Sequence, residues 1–339
     1  MINTAVIGLG KMGLSHCAII NAHNDTNLVA VCETSSFLLN ALKKYSGMEC
    51  YTDYKKMIDE TQLDCLFVAS PAGYHAEMVK YALERNINVF CEKPFALKIE
   101  NAEELVKIAE ERKLVNQVGY HNRFLGTFNY LKKLIDNKII GEIYHFTGEA
   151  YGPVVLKEKG GTWRSISSEG GGCLYDYASH VINLINFLLG IPSNAIGSIL
   201  KKIYSGQVDD AVYSNLIIEN RLSGQLIVNW SDETYRKMTT RITVYGKKGK
   251  IICDSTECKI YLKEKCEKEN LNKGWNIKCI TDLTKSVDFY LRGEEYSAQI
   301  DYFIKHVAEK NLNNVNSFRS AYETNMIIDL IKKNAGRLS

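Results

Sequence analysis

Two groups of reactive side chains stand out along the chain. The first is Cys91-Glu92-Lys93-Pro94, which follows the apolar run Ile87 to Phe90. That run reads as a buried parallel strand, so Lys93 falls just past its carboxyl end, where open α/β sheets bind ligands. Pro94 turns the chain there, because it fixes φ and lacks a donor. The second group lies on the helix expected from Cys173 to Leu189, with Gly190 as its cap and Pro192 beyond. At a period of 3.6, Leu174, Ala178, Val181, Ile185 and Leu188 make one apolar stripe, and Asp176, His180 and Asn183 take the opposite face. Asp176 and His180 are i,i+4 neighbours and can touch. Histidine is a base that works near neutral pH, and an aspartate beside it can set its tautomer and steady the imidazolium. A lysine supplies fixed positive charge to an oxygen on its way from alcohol to carbonyl. This set suits oxidation of a carbon that bears a hydroxyl, given a hydride acceptor.

The acceptor's site is legible at the N-terminus. The β-rich run Thr4 to Ile7 leads into Gly8-Leu9-Gly10-Lys11-Met12-Gly13, then a helix from Lys11 to Ala22 and a strand from Leu28 to Cys32 that ends at Glu33. The acid stands twenty positions after the third glycine, as a dinucleotide fingerprint requires. Gly8 permits the turn, Gly10 the approach of a pyrophosphate, and Gly13 close helix–strand packing. The free N–H groups of the turn and helix start, at Lys11 and Met12, face the phosphates. Glu33 accepts hydrogen bonds from the adenosine ribose and repels a 2′-phosphate, so NAD is expected in preference to NADP.

Strands and helices go on alternating. Helices are expected at Ser36 to Tyr45, Tyr54 to Glu60, Tyr74 to Arg85 and Glu100 to Arg112, and strands at Asp64 to Ala69, Ile87 to Phe90 and Val115 to Gly119. This is the grammar of a doubly wound parallel sheet. It changes after Gly119-Tyr120-His121-Asn122-Arg123-Phe124. A helix from Gly126 to Asn137 and a strand from Glu142 to Tyr151 lead to a glycine- and charge-rich loop, Lys157 to Ser168, and to Gly170-Gly171-Gly172 before the second reactive group. The three glycines suggest close approach of a ligand to the helix start. Strand-like runs at 196–204, 211–218, 223–230, 239–245 and 249–253 suggest an antiparallel sheet with one free apolar face, a natural dimer surface. Helices at Glu294 to Glu309 and Ser320 to Ala335 end the chain. The division expected is residues 1–122 and 123–339.

The 339 residues carry a net charge of +3 in dispersed positions, which gives no reason to expect nucleic acid or membrane as partner. Ten cysteines have no Cys-x-x-Cys pair and no zinc-site spacing, so no metal is expected. Several lie in apolar runs, as in a reducing compartment, and a cytoplasmic protein is expected.

The order of these motifs resembles the glucose–fructose oxidoreductase, inositol dehydrogenase and rhizopine-catabolism (Gfo/Idh/MocA) family over nearly the whole chain. The resemblance rests on Gly8-x-Gly10-x-x-Gly13, Ser70-Pro71-x-x-x-His75, Glu92-Lys93-Pro94, Gly119-Tyr120-x-x-Arg123-Phe124 and Gly170-Gly171-Gly172-x-x-x-Asp176-x-x-x-His180. It implies a Rossmann domain followed by an α+β domain with a large open, mostly antiparallel sheet, often built into dimers or tetramers. It implies an NAD(P)-dependent dehydrogenase of sugars, cyclitols or nucleotide sugars, with Lys93, Asp176 and His180 as catalytic set. By the same resemblance Ser70, Pro71, His75, Glu92 and Lys93 join the glycines and Glu33 at the cofactor, and Arg123 contacts substrate or nicotinamide. Trp163 and Arg164 could stack on a sugar ring and bind an anionic group. Two other readings share these features: an enzyme that oxidises transiently to allow elimination or glycoside cleavage, and a non-catalytic dinucleotide-binding regulator.

Overall fold

The computed structural model describes residues 1–46, 48–158, 162–287, 290–291 and 293–336. Residues 159–161 of the expected glycine- and charge-rich loop therefore lie outside the described residues. The chain divides into two compact units, residues 1–121 with 287–322 and residues 122–286 with 323–339.

The first unit holds a six-stranded parallel sheet. Its elements are β1 (Ile2–Ile7), α1 (Lys11–Ala22), β2 (Thr26–Cys32), α2 (Ser36–Ser46), β3 (Glu49–Tyr51), α3 (Tyr54–Glu60), β4 (Cys65–Val68), α4 (His75–Leu83), β5 (Asn88–Cys91), α5 (Ile99–Glu111) and β6 (Asn116–Val118). The strand order is 3-2-1-4-5-6, with β3 too short and too polar to be read from the sequence. Apolar side chains alternate between two cores. Ala5, Ile7, Leu66, Val68, Val89 and Cys91 pack with α4 and α5 on one face. Val6, Phe67 and Phe90 pack with α1 on the other, where Phe67 and Phe90 stack at 5.0 Å. Burial on both faces is why these strands read as unbroken apolar runs.

The second unit begins with α6 (Gly126–Asp136) and β7 (Ile143–Tyr151). Next come α7 (Ser179–Leu189) and the strands β8 (Asn194–Lys201), β9 (Ala211–Ile218), β10 (Leu222–Asn229), β11 (Thr239–Gly246), β12 (Gly249–Asp254), β13 (Glu257–Leu262) and β14 (Gly274–Cys279), then the short α8 (Ile280–Leu283). The eight-stranded sheet has the order 14-13-12-11-7-10-9-8. All its pairs are antiparallel except β10 with β7. The run expected at 196–204 is shifted, because β8 starts at Asn194 and stops at Lys201. Past it, Asp210 turns the chain by accepting the N–H groups of Ile203, Tyr204 and Ser205, each at 2.7 Å. Strands β13 and β14 extend the sheet beyond the expected runs.

Two helices end the chain, α9 (Glu294–Glu309) and α10 (Phe318–Ala335). The linear division gives both to the second domain. In the structure α9 belongs to the first unit, because Ile300, Phe303, Ile304 and Val307 fill the core that contains Val6, Phe67 and Phe90.

The helix expected from Cys173 is interrupted. Residues Leu174–Ala178 form a π-turn, and regular α-helix starts only at Ser179. Asp209 anchors this start: its Oδ2 accepts the Leu174 N–H at 2.7 Å and its carbonyl accepts the Cys173 N–H at 2.8 Å. Burial pushes the Asp209 carboxyl up to about 6, against the Leu174 N–H, which favours the ionised form. Between the ordinary aspartate value near 3.9 and about 6, the folded state thus binds more proton than the unfolded one, and stability falls as pH rises. Asp209→Asn keeps an acceptor for Leu174 and removes this titration. Urea unfolding from pH 4 to pH 7 should show wild type losing on the order of 2 to 3 kcal/mol relative to the variant. Parallel curves for the two proteins would contradict the assignment.

Candidate active site

In the first unit the residues expected at a cofactor gather at the carboxyl ends of β1, β2, β4 and β5. Gly8 has φ +85°, and Gly13 packs so tightly on the Gly8 carbonyl that any Cβ would collide with it. Gly10 is exposed, with open space where a Cβ would stand. It starts α1 with no side-chain cap, and the first turn has no acid. Lys11 is exposed and Met12 half-buried, so the N-terminal N–H groups of a twelve-residue helix are left for an anion.

Glu33 is pinned at the end of β2. Its Oε2 accepts the Leu9 N–H at 2.7 Å, and its Oε1 accepts from Thr34 N, Thr34 Oγ1 and Ser35 N at 2.7, 3.0 and 3.2 Å. Partial burial opposes ionisation, but these donors hold the carboxyl below the usual glutamate range. The chain thus presents a fixed negative charge beside the glycine turn. An uncapped helix start and a placed carboxylate fit the pyrophosphate and ribose of NAD; when bound, NAD supplies a hydride acceptor.

Ser70 is half-buried and Pro71 exposed in the loop after β4. His75 is buried: its Nε2 lies 2.8 Å from the Ser70 carbonyl and its Nδ1 2.9 Å from the Pro94 carbonyl. It ties the loop after β4 to the loop after β5. Burial holds its pKa down, against the pull of those two carbonyls. Glu92 is also buried, with Oε1 2.7 Å from His16 Nε2 and Oε2 accepting the Lys93 N–H at 3.2 Å. Burial acts to raise the Glu92 pKa, but His16 and the charge of Lys93 outweigh it and hold the carboxyl low. His75 and Glu92 therefore shape the loops at the cofactor edge from beneath. Lys93 leaves the chain half-buried at the end of β5. Sequence reasoning missed His16. The available signal was its place on the buried stripe Gly13, His16, Ile19, Ile20, where it alone is titratable.

In the second unit Asp176 and His180 are 6% and 4% exposed. The polar face is not solvated, because Asn183 is buried with them on the same side of the helix. Val181 and Ile185 press on Gly148 of β7, whose missing side chain lets the helix lie directly on the sheet. Asp176 Oδ2 accepts from Arg164 Nε at 3.1 Å, and the Arg164 guanidinium lies over the Trp163 ring at 4.4 Å. The pair expected at a sugar is thus joined to the aspartate. Asn183 receives Arg123, whose Nε donates to Oδ1 at 2.6 Å and whose Nη2 donates to the Asn183 carbonyl at 2.9 Å. Arg123 is 6% exposed and braces α7.

The glycines before this helix serve the chain's own backbone. A Cβ at Gly171 would strike the Arg164 carbonyl, and one at Gly172, which has φ +107°, would stand 2.7 Å from Asp209 Oδ1. The segment that carries Arg164 comes close to the helix start at Gly171. Among the described residues no group of three or more His, Cys, Asp or Glu could hold a metal ion, and no helix is long and apolar enough to cross a membrane.

Comparison with known proteins fits both units. Residues 2–120 match the profile of the oxidoreductase family with NAD-binding Rossmann fold, and residues 128–252 that of the GFO/IDH/MocA C-terminal domain. The chain is 30% identical over 240 residues to D-glucoside 3-dehydrogenase of Escherichia coli, covering 66% of each protein. It is 26% identical over 262 residues to 2,7-anhydro-N-acetylneuraminate hydratase of Mediterraneibacter gnavus, covering 75% of this chain and 67% of that one. The structure of levoglucosan dehydrogenase with NADH and levoglucosan shares the fold: TM-score 0.86 at 22% identity, over 100% of this chain and 98% of the other. With an NAD-binding Rossmann domain followed by the family's C-terminal domain, the chain belongs to the Gfo/Idh/MocA family of oxidoreductases.

Proposed function

We propose that the protein oxidises a secondary hydroxyl of a sugar or cyclitol, with NAD as hydride acceptor and Lys93, Asp176 and His180 as the catalytic set. The observation that carries this reading is the burial of an aspartate and a histidine, Asp176 in the π-turn and His180 in the first turn of α7. Buried ionisable groups are costly, and they persist where they work. His180 takes the hydroxyl proton as the carbon gives up hydride, and Lys93 stabilises the oxygen that becomes the carbonyl. Asp176, shared with Arg164, steadies the imidazolium. Relatives that dehydrogenate a D-glucoside support a polyol substrate.

A second reading, an enzyme that oxidises transiently to allow elimination, has one specific support: hydratases stand among the relatives. In that reading oxidation is transient and the cofactor returns to its starting state. Absorbance at 340 nm separates the two: the dehydrogenase accumulates NADH with product, and the transient oxidant forms product without it.

The sheet face turned away from α7 carries exposed apolar side chains. Near one edge Ile199 is paired with Tyr213; at the opposite edge Trp275 is paired with Tyr261, and Ile277 follows on the same face of β14. A second copy of this chain covers that face in our reading, since clusters of exposed aromatic and aliphatic side chains mark interaction surfaces and most oligomers are built from identical chains. Light scattering should give a dimer or tetramer that Ile277→Asp weakens; a monomeric wild type would contradict it.

Cofactor choice follows from Glu33. A 2′-phosphate near its held carboxylate meets like-charge repulsion of a few kcal/mol, about 4 at an effective dielectric of 20. NADP should bind at least about tenfold more weakly than NAD in a fluorescence titration, and Glu33→Gln should narrow the gap. Equal affinities in wild type would refute the role of Glu33.

The base is tested by pH. Oxidation requires neutral imidazole, so the rate should fall on the acid side. His180→Asn should lower turnover by about a hundredfold or more and erase that acid limb, with NAD affinity unchanged. Survival of the same limb in the variant would move the base elsewhere.

A further inference from the structure

His16 and Glu92 are 76 residues apart and meet inside the first unit. His16 is fully buried on α1. Its ring stands edge-on to Phe90, with centroids 5.2 Å apart, and tilted against Phe67 at 6.0 Å. Its Nε2 lies 2.7 Å from Glu92 Oε1, while Glu92 Oε2 accepts the Lys93 N–H at 3.2 Å. Gly119 closes the cradle: a Cβ there would stand 2.9 Å from both carboxylate oxygens. Aliphatic side chains in place of this pair would fill the same core without burying charge. His16 Nδ1 also has no hydrogen-bond partner among the described residues, a penalty that packing alone does not require. The pair is kept for its effect on what it touches, and what it touches is the peptide of Lys93.

We propose that His16 and Glu92 are positioning residues for Lys93. The imidazole fixes the carboxylate, and the carboxylate fixes the peptide from which the Lys93 side chain leaves β5. A small misplacement of a polarising group is enough to slow a reaction about a hundredfold, so the packing beneath Lys93 sets the rate without touching substrate. The inference rests on the assignment of Lys93 as the group that polarises the substrate oxygen.

The test compares His16→Leu, His16→Gln and Glu92→Gln, each alone and combined with Lys93→Met. Leucine removes the donor and keeps bulk; glutamine returns an N–H near the position of Nε2. Turnover is read as NADH formed from methyl D-glucoside or myo-inositol, whichever wild type oxidises faster. A second readout needs no substrate: the rate at which acetic anhydride modifies Lys93 relative to Lys98, by peptide mass spectrometry. Turnover should fall about tenfold to a hundredfold in His16→Leu and Glu92→Gln, with NAD affinity unchanged, and His16→Gln should recover most of it. In both impaired variants Lys93 should be modified faster. In the Lys93→Met background the same changes should alter turnover by no more than about twofold, because the group they position is gone. If His16→Leu does not fold, Glu92→Gln carries the same comparison. Equal fold-losses in both backgrounds would overturn the proposal, as would unchanged turnover and labelling beside an inactive Lys93→Met. Wild-type turnover in Lys93→Met would overturn the assignment of Lys93 and the proposal with it.

Discussion

A carboxylate buried at the end of a parallel strand must be matched by donors or it will take up a proton or leave the core. Glu92 is such a group, and the first unit is arranged to keep it ionised. Helix α1 brings His16 to one oxygen, the turn after β5 brings the Lys93 N–H to the other, and Gly119 after β6 leaves the room. The elements that meet this demand are the ones that frame the glycine turn and the ends of the strands. His75 adds a tie between the loops after β4 and β5 through two backbone carbonyls. The cofactor edge is thus held from below by buried polar groups, and its upper surface is left to glycines and N–H groups.

The second unit solves the same problem on a helix. Asp176, His180 and Asn183 are buried on α7 and its π-turn, where water cannot serve them. Arg164 reaches Asp176, Arg123 reaches Asn183, and Asp209 holds the first backbone donors. Glycines let these partners come close: Gly171 to the Arg164 carbonyl, Gly172 to Asp209, and Gly148 to the helix itself. A π-turn widens the helix start where the aspartate stands, and such bulges cluster at functional sites.

Much of this was legible where the physics is local. The glycine turn and Glu33 fall within about one βα unit, and each is fixed by a backbone contact that the spacing announces. Unbroken apolar runs named the parallel strands because both faces are covered. Contacts between distant segments were not legible. His16 and Glu92 pair only once α1 lies beside β5, and the bond from Arg164 to Asp176 forms only once the loop folds back on the helix start. Spacing at 3.6 residues could not reveal the π-turn, nor that a helix with one apolar stripe is buried on its other side. The site of α9 was equally hidden, since amphipathic periodicity says which face is buried and not against what.

The proposed chemistry stands or falls on whether Lys93 and His180 act on the same substrate hydroxyl. A crystal structure with NAD and a polyol that the protein oxidises tests it most directly. The account predicts one hydroxyl oxygen within hydrogen-bond reach, about 2.6 to 3.2 Å, of both Lys93 Nζ and a His180 ring nitrogen. A polyol seated with no hydroxyl near either group would contradict it.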